Sequence, residues 1–178
     1  MFHFFYTLPI CKILLLMVLI IVLWGRFGSN RYILHWQIIN VMLSVGAVFA
    51  ILYATVWNRT SGIYEAVLLP FAAFAAAEEQ PELYREMLMN VFLFFPLGLT
   101  LSNALPRKLR LVMRIGVTTL AGFLLSAGIE LTQYVCYFGM AETDDVICNT
   151  MGAFLGAMSL LVSLGFENIR KVFGRKSS

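Results

Sequence analysis

Five apolar runs, each near the length that crosses a bilayer, leave this chain little freedom to fold as anything but a membrane-embedded helical bundle. In hydrocarbon every backbone polar group needs an internal partner, and one segment achieves this alone only as a helix of about 20 apolar residues. The runs cover about 8–24, 38–57, 88–105, 115–134 and 146–166 of the 178 residues. Five such spans use roughly 100 positions, which leaves no separate soluble domain. The predicted fold is all-α and integral to the membrane, with five transmembrane helices in one polytopic domain over residues 1–178. Composition agrees, because 13% of residues are charged, about half the share usual for soluble domains. A soluble enzyme, a disordered tail and a disulfide scaffold are thereby excluded. The cysteines Cys11, Cys136 and Cys148 are too few for a disulfide framework, although pairing of the last two stays open.

Local signals frame the runs. Thr7 and Pro9 are start signals for the first, and Lys12 is placed to snorkel to its interface. Gly25-Arg26-Phe27-Gly28 offers no small-x-small cleavage site, so this run reads as a retained helix rather than a signal peptide. Trp36 and Trp57 bracket the uncharged second run as interfacial anchors. The third holds Asn90 and an internal Pro96, a kink signal. The fourth contains Glu130 and Gln133, and the fifth contains Asn149, Gly152 and Gly156.

Basic residues set the orientation, since short cytoplasmic loops concentrate Lys and Arg. Ten of the 13 fall on one side: Arg26 and Arg31, then Arg107, Lys108, Arg110 and Arg114, then Arg170, Lys171, Arg175 and Lys176. Only Lys12, Arg59 and Arg85 fall on the other. An N-outside, C-inside topology is predicted, with the acids Glu65, Glu78, Glu79, Glu82, Glu86, Glu142, Asp144 and Asp145 in or beside outward connections. Polar chemistry is therefore expected on the outer side, and the cytoplasmic half of the third to fifth helices is expected to be largely apolar. Between the second and third spans, Ile63 to Ala77 is apolar but interrupted by Pro70. It is too short to span, so a re-entrant or interface-lying segment is expected.

Glu130 is the residue that most needs explaining. It lies about 22 Å along its helix from Ile115, where an unpaired carboxylate costs a few kcal/mol. Ser126, Glu130 and Gln133 share one helix face, as do Asp145 and Asn149 on the next helix. A short turn joins the two helices, so the faces can meet in a polar cluster of Glu130, Gln133, Asp145 and Asn149, with Asn90 as a fifth member. Plainer readings stand beside this one. Thr143, Asp144 and Asp145 suit the positive N-terminus of the fifth helix as caps. Gln133 and Asn149 suit interhelical hydrogen bonding, and Gly152-x-x-x-Gly156 suits close helix packing.

Three stretches resemble the VanZ-like family of bacterial membrane proteins, over about residues 64–157. They are Leu68-Leu69-Pro70-Phe71; Asn90 leading into Phe94-Phe95-Pro96-Leu97-Gly98; and Ser126-x-x-x-Glu130-x-x-Gln133, followed by Glu142-Thr143-Asp144-Asp145 and Asn149-Thr150-x-Gly152-Ala153. The last is the most specific. An arginine that many relatives carry before the acidic run is absent, and Phe138-Gly139-Met140-Ala141 stands there. The resemblance implies a multi-pass protein of the bacterial plasma membrane with an accessory role in resistance to teicoplanin-type lipoglycopeptides. The binding residues are then expected to be Asn90, Glu130, Gln133, Asp144, Asp145 and Asn149.

A second class is an intramembrane enzyme acting on a lipid head group or lipid-linked wall precursor, with Glu130 and Asp145 as the catalytic candidates. A small transporter or flippase is a weaker third. No cofactor or metal site is expected, because the histidines, His3 and His35, lie outside the cluster. Expected partners are membrane lipids, a lipoglycopeptide or wall precursor, and a second copy of the chain through the glycine-bearing face of the fifth helix. Nucleic acid is not among them, since topology accounts for the basic loops.

Overall fold

The computed structural model describes residues 10–28, 33–57, 66–77, 80, 82–137 and 140–174. Thr7, Pro9, Arg31, Arg59, Glu65, Glu78, Glu79, Pro81, Phe138, Gly139, Arg175 and Lys176 lie outside them, as does His3. The described chain is almost wholly helical: α1 (Ile10–Gly28), α2 (Ile33–Leu52), α3 (Ala72–Ala76), α4 (Glu82–Ala104), α5 (Leu111–Cys136), α6 (Thr143–Ala157) and α7 (Ser159–Gly174). A π-helical turn, Tyr53–Trp57, extends α2, and two-residue strands β1 (Ala66–Val67) and β2 (Ala141–Glu142) pair in parallel, Ala66 opposite Ala141.

Four stretches are long and apolar enough to cross a membrane: His35–Trp57, Glu82–Ala104, Leu111–Cys136 and Thr143–Ile169. The last includes one tightened turn, where the Met158 amide donates to both Phe154 and Leu155 carbonyls at 3.1 and 3.2 Å. The predicted fifth helix is thus α6 and α7 in succession, and it begins at Thr143 rather than at residue 146. Its neighbour α4 begins at Glu82, six residues before the apolar run, because Glu82, Arg85 and Glu86 extend the helix with charged side chains while Leu83 and Met87 pack against Ala77 and Cys148. Pro96 leaves α4 unbroken. The Thr100 hydroxyl donates to the Pro96 carbonyl at 2.8 Å within the same helix.

Helix α4 is the hub, packed against α6, α2 and α5, while α1 lies on α7. Glycine makes the α4–α6 contact. A Cβ on Gly152 would meet the Val91 carbonyl, one on Gly156 the Phe95 carbonyl, and one on Gly98 the Ala153 carbonyl. The expected close packing is therefore present, but within one chain: the glycine-bearing face of α6 is covered by α4, which corrects its expected use as a surface for a second copy. Phe94 and Phe95, 0% and 1% exposed, are about 100° apart on α4 and enter different clusters. Phe94 packs with Ile51, Leu97 and Ile129, and Phe95 with Met17 and Leu99. Large apolar side chains such as Leu15, Met42, Phe49, Val112 and Leu131 are exposed, the pattern of a surface solvated by lipid.

The basic half of the bundle is not apolar as expected. Thr100, Ser102, Asn103, Arg114, Thr118, Ser159 and Ser163 are all buried there. Asn103 donates to the Leu99 carbonyl at 2.8 Å and to Ser159 at 3.2 Å. In α2, fully buried Asn40 accepts from the Trp24 indole at 3.2 Å, and Ser44 donates to Thr100 at 3.0 Å. Several of these groups escape a hydropathy reading because they are small and bond to their own helix backbone, as Thr100 does on the Pro96 carbonyl, Asn103 on Leu99 and Ser44 on Asn40.

Candidate functional site

The acidic end of the bundle gathers polar side chains from α4, α5 and α6. On α5, Ser126, Glu130 and Gln133 are buried as their shared face predicts, at 0%, 8% and 1% exposure. On α6, Asn149 donates from Nδ2 to the Ser126 hydroxyl at 2.9 Å. One turn nearer the helix start, Asp145 Oδ1 accepts from Asn90 Nδ2 of α4 at 2.6 Å. The Glu130 carboxylate accepts from the Glu142 backbone amide at 3.0 Å, so it fastens α5 to the residue that opens α6. Asn90, Glu130, Asp145 and Asn149 therefore line the junction of three helices.

Two residues expected in this cluster face elsewhere. Gln133 donates from Nε2 to the Thr55 carbonyl at 2.9 Å, at the π-helical turn that ends α2. Asp144 turns to the segment before α4, accepting the Phe71 amide at 2.6 Å on one oxygen and the Ala73 amide at 2.7 Å on the other. The capping reading for Asp144 is thus right in kind and wrong in place. It caps α3, whose own N-terminal residue, Phe71, has φ 65° and supplies no side-chain bond. Helix α6 has no side-chain cap, although Asp144 and Asp145 in its first turn complement its dipole. Together with the β1–β2 pairing, the Asp144 bridge fixes residues 66–77 to the start of α6. Leu68, Leu69 and Phe71 remain exposed, while Ala77 packs against Met87 and Cys148.

The site is rich in acceptors. Among the described residues, two buried carbonyl oxygens, Asn149 Oδ1 and Gln133 Oε1, have no hydrogen-bond partner, nor does the Thr150 hydroxyl. A buried polar atom left unpaired costs about 1–3 kcal/mol, so a donor such as water, a hydroxyl or an ammonium group would be stabilised there. Among the described residues no three His, Cys, Asp or Glu side chains gather as metal ligands. All three cysteines are free, with Cys148 buried and Cys11 and Cys136 exposed. Thr55, which sequence reasoning missed, contributes only a carbonyl on an irregular turn, and no pattern of side chains announces that. Beside it an apolar groove of about 540 Å³ runs between α2 and α5, lined by Phe49, Tyr53, Trp57, Leu124, Gly128 and Ile129.

Comparison with known proteins identifies the family. The family model described as VanZ/LLP1 matches residues 13–166, most of the chain. Protein VanZ of Enterococcus faecium is 34% identical over 73 residues, which is 41% of this chain and 42% of that protein. The chain thus spans less than half the length of this curated relative in the aligned region. No solved structure matches. With a family match over residues 13–166 and four helices fit to cross a bilayer, the chain is a membrane protein that belongs to the VanZ/LLP1 family.

Proposed function

We propose that this chain is a five-span, N-outside, C-inside protein of the bacterial plasma membrane that lowers the engagement of teicoplanin-type lipoglycopeptides at the outer face. In this reading α1 is the fifth span, residues 66–77 lie in the interface, and the site comprises Asn90, Glu130, Asp145 and Asn149. Gln133 and Asp144 hold its walls. The observation that carries the reading is the carbonyl oxygen of Asn149, 3% exposed and without a partner among the described residues, one helical turn from Asp145 and on a side chain bonded to Ser126, itself one turn from Glu130. Such a site selects a ligand rich in hydroxyl or ammonium donors, as the sugars of a glycopeptide or a lipid-linked wall precursor are. The nearby apolar groove suits an acyl tail. Kinship with Protein VanZ of Enterococcus faecium supports the assignment to resistance.

The test is teicoplanin and vancomycin susceptibility of a sensitive Gram-positive host expressing the chain, with Glu130→Gln and Asp145→Asn run at matched membrane levels. Selective teicoplanin resistance, lost in both variants, is expected. Undiminished resistance in both would sink the site assignment. A second reading, an intramembrane enzyme acting on a lipid head group, draws on the Glu130 carboxylate, buried at 8% exposure and so placed to exchange a proton away from bulk water. Lipid head-group analysis of membranes with and without the chain separates the two, because only the enzyme changes lipid composition.

A further inference from the structure

At the opposite, basic end of the bundle a second polar site is built around a buried arginine. A cavity of about 270 Å³ opens there among α2, the α4–α5 connection, α5 and α7. Arg114, 9% exposed, donates from Nε and Nη2 to the Ser102 carbonyl at 3.1 and 2.7 Å. That bond caps the C-terminal end of α4, and it uses two of about five guanidinium N–H groups. Two more donors in the cavity wall, the Trp36 indole N–H and the Ser163 hydroxyl, are buried without a partner among the described residues. Ser163 is 7% exposed. The wall's carboxylate, Glu167, lies 3.5 Å from Arg107 Nη1. Two guanidinium groups against one carboxylate leave positive charge in excess, and Leu111, Leu160 and Leu164 complete the wall.

Unpaired buried donors are as costly as unpaired acceptors, and guanidinium with hydroxyl and indole N–H is a donor set matched to the oxygens of a phosphate. We propose that this cavity binds a phosphate group, held by Arg114, Arg107, Ser163 and Trp36, with the adjoining leucines accommodating the carbon chain of a phospholipid head group. The site lies at the end of the bundle opposite the acidic cluster and is independent of any role in drug resistance.

The experiment is thermal unfolding of the purified full-length chain in neutral detergent, titrated with phosphatidylglycerol, with diacylglycerol of the same chains, or with inorganic phosphate. A ligand that binds only the folded state raises the midpoint in a concentration-dependent way. Phosphatidylglycerol is expected to stabilise and diacylglycerol is not. Stabilisation by inorganic phosphate as strong as by the lipid assigns the site to a free anion, and stabilisation by the lipid alone assigns it to a head group. Arg114 is left intact because it also caps α4. Arg107→Gln, on an exposed turn, and Ser163→Leu, which fills the cavity, are each expected to weaken the phosphate ligand at least about tenfold, the loss of one charge-assisted bond or of the space for it. Equal stabilisation by phosphatidylglycerol and diacylglycerol, no stabilisation by any of the three, or phosphatidylglycerol binding unchanged in Arg107→Gln would overturn the proposal.

Discussion

Replacing Asp144 with alanine separates the scaffold at the acidic end from the site it surrounds. The carboxylate is 3% exposed and accepts two backbone amides, Phe71 at 2.6 Å and Ala73 at 2.7 Å. Each bond has an ionised acceptor and is worth about 1.5–3 kcal/mol net, so the pair holds the segment with about 3 kcal/mol or more. Removing it raises the population of the undocked segment by at least about a hundredfold, since each 1.4 kcal/mol is tenfold. The β1–β2 pairing and the Ala77 contacts remain, so the opening is local rather than global. Hydrogen–deuterium exchange by mass spectrometry reads it directly in the peptide spanning 68–77, with the middle of α4 as the internal control. Asp144→Asn keeps one acceptor oxygen and loses the charge, so its protection is expected to fall between wild type and alanine. Exchange in 71–73 within about threefold of wild type in Asp144→Ala would refute the reasoning, because the two bonds would then contribute under about 0.7 kcal/mol.

Other outcomes follow from the same geometry. Gly152→Val places side-chain atoms on the Val91 carbonyl, with backbone that cannot yield; a cost of about 3 kcal/mol or more is expected, read as loss of folded protein in detergent. Gly46→Ala, with nothing within 4 Å of its added carbon, is expected to leave the midpoint unchanged or slightly raised. Arg114→Met removes both bonds to the Ser102 carbonyl and is expected to destabilise by about 1–3 kcal/mol in chemical unfolding. A membrane-impermeant maleimide applied to whole cells is expected to label Cys136, which is exposed, and to spare buried Cys148 until the chain is denatured; labelling of Cys136 only from the inner side would reverse the proposed topology.

The helices were legible because hydrocarbon imposes length and composition on them, and four spans coincide with predicted runs. Their ends were not, because Glu82 and Thr143 continue a helix into polar surroundings where hydropathy carries no signal. The pairing of Ser126 with Asn149, and of Asn90 with Asp145, follows the shared faces that i, i+4 spacing implies. Gln133 departs from that scheme for a simple angular reason. Three residues advance a helix by about 300°, so Gln133 sits about 60° from Glu130 and reaches the end of α2 instead of α6. Adjacent Asp144 and Asp145 are about 100° apart and cannot serve one centre; spacing alone did not say which would turn outward to residues 71–73. In the sequence Arg114 is a topology signal, and its second role depends on where the α4 carbonyls end, which only the fold provides.

The central pairing of α4 with α6 also has a consequence in time. The partners of Asn90 and Asn103 lie 55 and 56 residues further along the chain. Synthesis proceeds at about 5–20 residues per second, so α4 waits about 3–11 s for the helix that completes it. During that interval its amides and its glycine notch face lipid or the insertion machinery with no helix seated against them. A ribosome stalled after α5 would therefore leave a fragment whose hub is unfinished, and cellular quality control has a window of seconds in which to recognise it.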